Sequence, residues 1–247
     1  SLDGGNGFRI EGEFADGRSG VSVSAAGDVN GDGRADLIIG APFASPDAVS
    51  FAGASYVLLG QASSAAVVSL ATLNESQGYR LNGGSASERS GYAVADAGDV
   101  NGDGFDDVLV GAYGANSGAG VAYVVFGKGE AVPSAVTLGG FDGSTGFQLS
   151  GPAGFALAGK ALAGGADVNG DRIADIVIGA PSEQGRAYVV FGHTGAFTGS
   201  QDLATLDGHN GFRLDGVVLN EKLGTSVSIA GDINGDGRLD IVSAIYA

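Results

Sequence analysis

Cysteine is absent from this chain of 247 residues, and histidine occurs only twice. No disulfide framework can staple the fold, and no zinc-finger ligand set or Cys-His nucleophile pair can be assembled. No nucleophile elbow or phosphate-cradling glycine loop is present either. No run of 18 apolar residues exists, which excludes a membrane-spanning helix. No leader is visible, and a start at Ser1 is compatible with one having been removed. Basic residues are scarce: 12 Lys and Arg stand against 28 Asp and Glu, a net charge of −16 with a pI near 4.2. That balance argues against nucleic acid and anionic membrane surfaces as partners. Helix signals are nearly lacking, whereas 44% of the residues are hydrophobic, enough for a substantial core in one large domain.

What the chain does have is one nine-residue pattern, Asp-x-Asn-x-Asp-(Gly)-x-x-Asp, four times over. In the first copy Asp28, Asn30 and Asp32 alternate with small residues, Asp36 closes the loop, and the carbonyl of Arg34 supplies a backbone oxygen between them. The second copy offers Asp99, Asn101, Asp103, the Phe105 carbonyl and Asp107. The fourth offers Asp232, Asn234, Asp236, the Arg238 carbonyl and Asp240. The third has Asp167, Asn169, Asp171, the Ile173 carbonyl and Asp175, but Arg172 replaces the glycine found at Gly33, Gly104 and Gly237. A donor set made only of oxygens suits Ca²⁺, with Mg²⁺ the weaker rival because it demands a smaller, stricter octahedron. Up to four Ca²⁺ are expected, with the Arg172 site strained or weaker, since a left-handed turn is cheap only for glycine. A single acidic loop could be an ordinary Asp/Asn/Gly turn; four copies of one ligand set point to a metal.

These loops are not EF-hands. The twelfth positions are Ile39, Val110, Ile178 and Ser243 rather than glutamate, and the residues after each loop form short runs such as Leu37-Ile38-Ile39 and Ile176-Val177-Ile178. Short β-branched runs ended by glycine predict buried strands, so each loop is a strand-to-strand turn.

The repeat reaches well beyond the loop. The glycine of a Gly-aromatic pair, Gly7-Phe8, Gly78-Tyr79, Gly146-Phe147 or Gly211-Phe212, precedes each first aspartate by one constant interval, from Gly7 to Asp28 and equally from Gly78 to Asp99, Gly146 to Asp167 and Gly211 to Asp232. By either marker the period shortens slightly from repeat to repeat. Midway stand Gly20, Gly91, Gly159 and Gly224, each opening a stretch of small alternating residues that predicts a crowded inner strand. Tyr56-Val57, Tyr123-Val124 and Tyr188-Val189 open a further strand that ends at Gly60, Gly127 and Gly192. About four strands per unit, head to tail, predict an all-β fold, a β-propeller of four-stranded blades. The units run approximately 7–77, 78–145, 146–210 and 211–247, the last incomplete. A nonapeptide β-helix lacks its short period here, and a sandwich array would not need a loop at one fixed place in every four strands.

The glycine-led strand, the acidic loop, Gly40-Ala41-Pro42 or Gly179-Ala180-Pro181, and then the Tyr-Val strand together resemble the FG-GAP repeat of integrin α-subunit propellers and bacterial relatives. The resemblance covers essentially the whole chain. It departs at Ser19-Gly20, Ser90-Gly91, Ala158-Gly159 and Leu223-Gly224, where Phe-Gly is expected, and at Gly111-Ala112-Tyr113 and Ser243-Ala244-Ile245. It implies a propeller that usually has seven blades, with Gly7 to Gly12 as the outer strand of a blade whose inner strands lie elsewhere. The expectation is a piece of a larger ring, or one of two chains that complete a ring. It also implies protein ligands on one face, away from the calcium loops.

A non-catalytic, extracellular, calcium-binding module for adhesion or protein recognition is therefore expected, with a protein or surface glycan as partner. The alternatives are a purely structural segment of a large surface protein, or the propeller of a carbohydrate- or lipid-active enzyme. His193 and His209 read as solvent-exposed loop histidines. Length variation concentrates between each loop and its Tyr-Val strand: the stretch from Asp28 to Tyr56 is longer than that from Asp99 to Tyr123, which is longer than that from Asp167 to Tyr188. In the longest of these, Phe43 and Phe51 either contact a ligand or tuck against the blade edge, two readings that the sequence leaves open. Extracellular Ca²⁺ modules bind at roughly 10⁻⁴ to 10⁻³ M. At ten to a hundred times Kd, each site contributes about 1.4–2.7 kcal/mol by mass action.

Overall fold

A computed structural model describes residues 2–63, 65–129, 132–152, 154–182 and 185–245. The first repeat gives β1 (Arg9–Glu11), β2 (Ser22–Gly27), β3 (Asp36–Ala41), β4 (Ala54–Leu58) and β5 (Val67–Ser69). The second gives β6 (Gly78–Asn82), β7 (Ala93–Gly98), β8 (Asp107–Ala112), β9 (Val121–Val125) and β10 (Ala135–Thr137). The third gives β11 (Gly146–Ser150), β12 (Ala161–Ala166), β13 (Asp175–Ala180), β14 (Arg186–Val190) and β15 (Ser200–Asp202). The last gives β16 (Gly211–Asp215), β17 (Ser226–Ile229) and β18 (Ile241–Ala244).

These strands form propeller blades. In the first, β2, β3, β4 and β6 are successive antiparallel neighbours; β7, β8, β9 and β11 repeat the arrangement, as do β12, β13, β14 and β16. The outer strand of each blade thus comes from the next repeat, and β1 stands apart from β2, paired instead with β5. The inner strands neighbour one another in the order β2, β7, β12, β17, so the blades follow one another around an arc.

Each blade is covered on both faces, which explains why its second strand reads as a continuous apolar run. Ile38, Val57 and Leu81 of the first blade pack with Val108, Val110 and Tyr123 of the second. The opposite face of the second blade presents Leu109, Val124 and Leu149 to Ile176 and Ile178 of the third. Close backbone approach between blades rests on paired glycines. A Cβ on Gly40, Gly111 or Gly179 would lie 2.0, 2.0 or 2.1 Å from the carbonyl oxygen of Gly91, Gly159 or Gly224 of the following blade.

The blades carry one strand more than expected. β10 pairs in parallel with β6, and β15 with β11, making five-stranded sheets whose fifth strand belongs to the neighbouring repeat. Leu70, Leu138 and Leu203, just after these short strands, are buried and anchor them. The recurrence of Leu-Ala-Thr-Leu at 70–73 and 203–206 is the sequence trace of this element.

Candidate metal centres

Each acidic loop joins the first and second strands of a blade, and a β-bulge precedes the first three: the register slips between Ala25 and Gly27, Asp96 and Gly98, and Ala163 and Ala166. The extra residue re-aims the chain into the loop.

All four loops fold alike. The first aspartate curls back over its own turn. Asp28 Oδ1 accepts the Asp32 N–H at 3.0 Å and Oδ2 accepts the Gly33 N–H at 2.8 Å. Asp99, Asp167 and Asp232 repeat this with the N–H groups four and five residues on. Asn30, Asn101, Asn169 and Asn234 each accept the N–H two residues on, from Asp32, Asp103, Asp171 and Asp236. Those aspartates in turn accept the N–H groups of Arg34, Phe105, Ile173 and Arg238 at 2.8–3.0 Å. The carbonyl oxygens of the same four residues accept none of the hydrogen bonds described in these loops.

The ninth position behaves differently. Asp36, Asp107 and Asp175 are buried, and each carboxylate bridges two strands. One oxygen accepts the N–H after the first aspartate, from Val29, Val100 or Val168. The other accepts the N–H of the glycine that ends the Tyr-Val strand, Gly60, Gly127 or Gly192, at 2.7–3.0 Å. These glycines act as second clamps of the loop, a role their sequence pattern left unread. Asp240 is only half-buried and accepts Ile233 and Asn234 instead.

Burial pushes Asp107 up to about 8 and Asp175 up to about 6, and raises Asp36 as well. The backbone N–H groups pull against this, while the other loop carboxylates, Asp99 and Asp103 around Asp107 or Asp28 and Asp32 around Asp36, push further up. The loops therefore hold closely spaced carboxylates, and the only basic group paired with one of their ligands is the Arg34 guanidinium, 3.4 Å from Asp32, among the described residues. No group of three or more His, Cys, Asp or Glu side chains stands there as a ready-made cation cage. The donor set nevertheless fits a hard divalent cation: it is made only of oxygens, and the Arg34, Phe105, Ile173 and Arg238 carbonyls accept none of the hydrogen bonds described.

Arg172 takes φ 74, the left-handed turn that glycine adopts at Gly33 (82), Gly104 (93) and Gly237 (85). Its N–H reaches Asp167 at 2.6 Å, so the third loop keeps the common geometry at the expense of strain.

The first and second loops are also tied to the next blade. The Asp28 carbonyl accepts the Asp106 N–H and the Val29 carbonyl accepts the Lys128 N–H; Asp99 and Val100 repeat this with Ala174 and His193. Asp106 adds a carboxylate bond to the Asp28 N–H at 2.7 Å. His193 and His209 are exposed, His193 stacking on Phe197 at 4.0 Å. Phe43 is half-buried beneath a guanidinium, while Phe51 is 48% exposed.

Blades built from glycine-locked strands, with an acidic loop between the inner two, define a repeat propeller. The chain carries FG-GAP repeats: residues 19–58, 91–125 and 158–190 match that family, each stretch running through the three inner strands of one blade. Among curated proteins it is 33% identical over 180 residues to integrin alpha-IIb of Mus musculus, covering 70% of this chain and 16% of that protein. It is 36% identical over 167 residues to integrin alpha-PS2 of Drosophila melanogaster, covering 64% and 11%. Integrin alpha-7 of Rattus norvegicus is 34% identical over 158 residues, covering 63% and 12%. The chain thus spans less than a fifth of the length of these relatives. The fourth loop, Asp232 to Asp240, lies outside the three matched stretches.

Proposed function

We propose that this chain is an extracellular, non-catalytic propeller module, held together by Ca²⁺ and used for adhesion or protein recognition. The carrying observation is the ninth aspartate. Asp36, Asp107 and Asp175 are buried carboxylates joined by their hydrogen bonds to a loop and to the third strand, amid other carboxylates. Burying such a charge without a counter-ion is costly, and Ca²⁺ is the counter-ion its oxygen neighbours suit. The residues holding it would be Asp28, Asn30, Asp32, the Arg34 carbonyl and Asp36, with their equivalents in the other loops. When bound, the cation supplies fixed positive charge and no reaction.

Recognition rather than catalysis is supported by the relatives, which are integrin alpha subunits. The paired carboxylates are moreover committed to backbone N–H groups, which makes them poor proton shuttles. The extracellular part of the reading holds if the loops fill only at millimolar Ca²⁺, a level that cytosol does not reach.

The test is a thermal melt of the chelator-treated chain across a Ca²⁺ titration from micromolar to tens of millimolar, with Mg²⁺ as control. A large upward shift in Tm specific to millimolar Ca²⁺ is expected. An unchanged Tm would reduce the loops to acidic turns and remove the basis for the extracellular assignment.

A further inference from the structure

Four non-glycine residues in equivalent positions, each just before the dipeptide that opens an inner strand, adopt left-handed backbone: Arg18 (φ 54), Arg89 (57), Leu157 (60) and Lys222 (53). Each makes the same tight turn, its carbonyl accepting the N–H three residues on. Leu157 shows that this turn does not need a cation. The arginines at 18 and 89 therefore require another reason.

Their surroundings give one. The Arg18 guanidinium lies over the Phe43 ring, 4.6 Å from its centroid, and Arg89 approaches the same ring at 5.8 Å. Arg89 also lies 5.3 Å from the Tyr113 ring and donates to its hydroxyl, and the Lys160 ammonium lies 5.8 Å from that ring. Tyr92 props Tyr113 edge-on at 4.6 Å. The result is a stripe of alternating cation and aromatic that crosses the first three blades. None of its three cations has a carboxylate partner among the described residues, although acidic residues outnumber basic ones by 16. Rings fix the cations in place without neutralising them.

We propose that this stripe is a docking site for an acidic, extended segment of a partner protein. Sharing one ring keeps the Arg18 and Arg89 charges within about 10 Å, a spacing matched by acidic side chains at alternate positions of an extended strand, which project about 7 Å apart. Guanidinium forks accept such carboxylates in bidentate fashion. A glycan is disfavoured because sugar stacking needs bare ring faces, and here cations flank them. Long polyanions meet the field of the whole molecule, at −16, whereas a short segment feels mainly the local patch.

The inference rests on the recognition reading above and is tested on the Ca²⁺-loaded chain. The probe is a fluorescein-labelled peptide of alternating Glu and Thr, with a Gln-Thr peptide as control, followed by fluorescence anisotropy at low and high salt. The acidic peptide is expected to bind, more weakly at high salt, and the control not at all. R18L/R89L, using the residue that the third repeat accepts in the same turn, should weaken binding about ten-fold while leaving the rise of Tm with Ca²⁺ intact. K160Q, at the last residue of the equivalent turn in the third repeat, should weaken it less. Absence of peptide binding by a chain whose Ca²⁺ response is intact overturns the docking site alone, as does equal binding by the variants. Binding of heparin but not the peptide overturns it in favour of a sulfated glycan.

Discussion

Arg172 shows how a single side chain can work against its own loop. A left-handed non-glycine residue costs about 1–2 kcal/mol, while glycine loses about 0.5–1 kcal/mol of unfolded-state freedom. R172G should therefore stabilise the chain by about 0.5–1 kcal/mol in urea unfolding at saturating Ca²⁺. A loss of stability would mean that the arginine side chain makes a contact worth more than the strain. Glu88 is a different residue-scale case. It is 2% exposed, accepts the Tyr123 hydroxyl and the Ser85 N–H, and burial raises its pKa. A raised carboxyl favours folding fully only below its unfolded value, and that contribution is lost as pH rises through the folded one. At saturating Ca²⁺, E88Q should gain stability relative to the parent as pH rises above the ordinary glutamate value of about 4. A pH-independent difference would show that Glu88 is not charged at a cost.

At the scale of elements, the short parallel strands β5, β10 and β15 are minor by length and not by packing. Leu138, the residue just past the three-residue β10, is 2% exposed, so L138A should cost about 2–5 kcal/mol by chemical denaturation. V67A, at a residue 40% exposed in the equivalent strand, should cost about 0.5 kcal/mol. Equal effects would make the fifth strand an ornament of the blade. These strands were hidden in the sequence because three residues carry too little periodicity to register, and their anchor is a leucine just outside them. The second strands of the blades were plain, since both faces are buried and a glycine punctuates each. The acidic loops were plain for the same reason that they fold alike: the bonds that shape each turn are local. The bond from the ninth aspartate to Gly60, Gly127 or Gly192 spans 17 to 24 residues, and neither it nor the bonds to the next blade were readable. The cation–aromatic stripe was equally hidden, because it gathers residues from three repeats, with Phe43 and Tyr113 at different offsets from their glycines.

The whole molecule carries −16, and four Ca²⁺, at +2 each, would bring it to about −8. Self-repulsion grows steeply with net charge, so the chelated chain should gain more from screening than the loaded one. Raising NaCl from about 0.05 to 0.5 M should lift Tm more after chelation than at saturating Ca²⁺. Parallel salt dependences would show that the cations do not offset the acidic surplus. The inter-blade bonds from Asp28, Val29, Asp99 and Val100 carry the effect beyond each loop, because loosening one loop also loosens the blade that follows it.

The borrowed outer strand has a consequence for how such a molecule can grow. A segment one repeat long, such as that from Gly78 to Thr145, contributes three strands, β7 to β9, to one blade and two, β6 and β10, to its predecessor. Tandem copying of DNA in steps of that length therefore adds a whole blade whatever the breakpoint. The unit of inheritance and the unit of folding can stay out of phase indefinitely, and no copying event has to respect the edge of a blade.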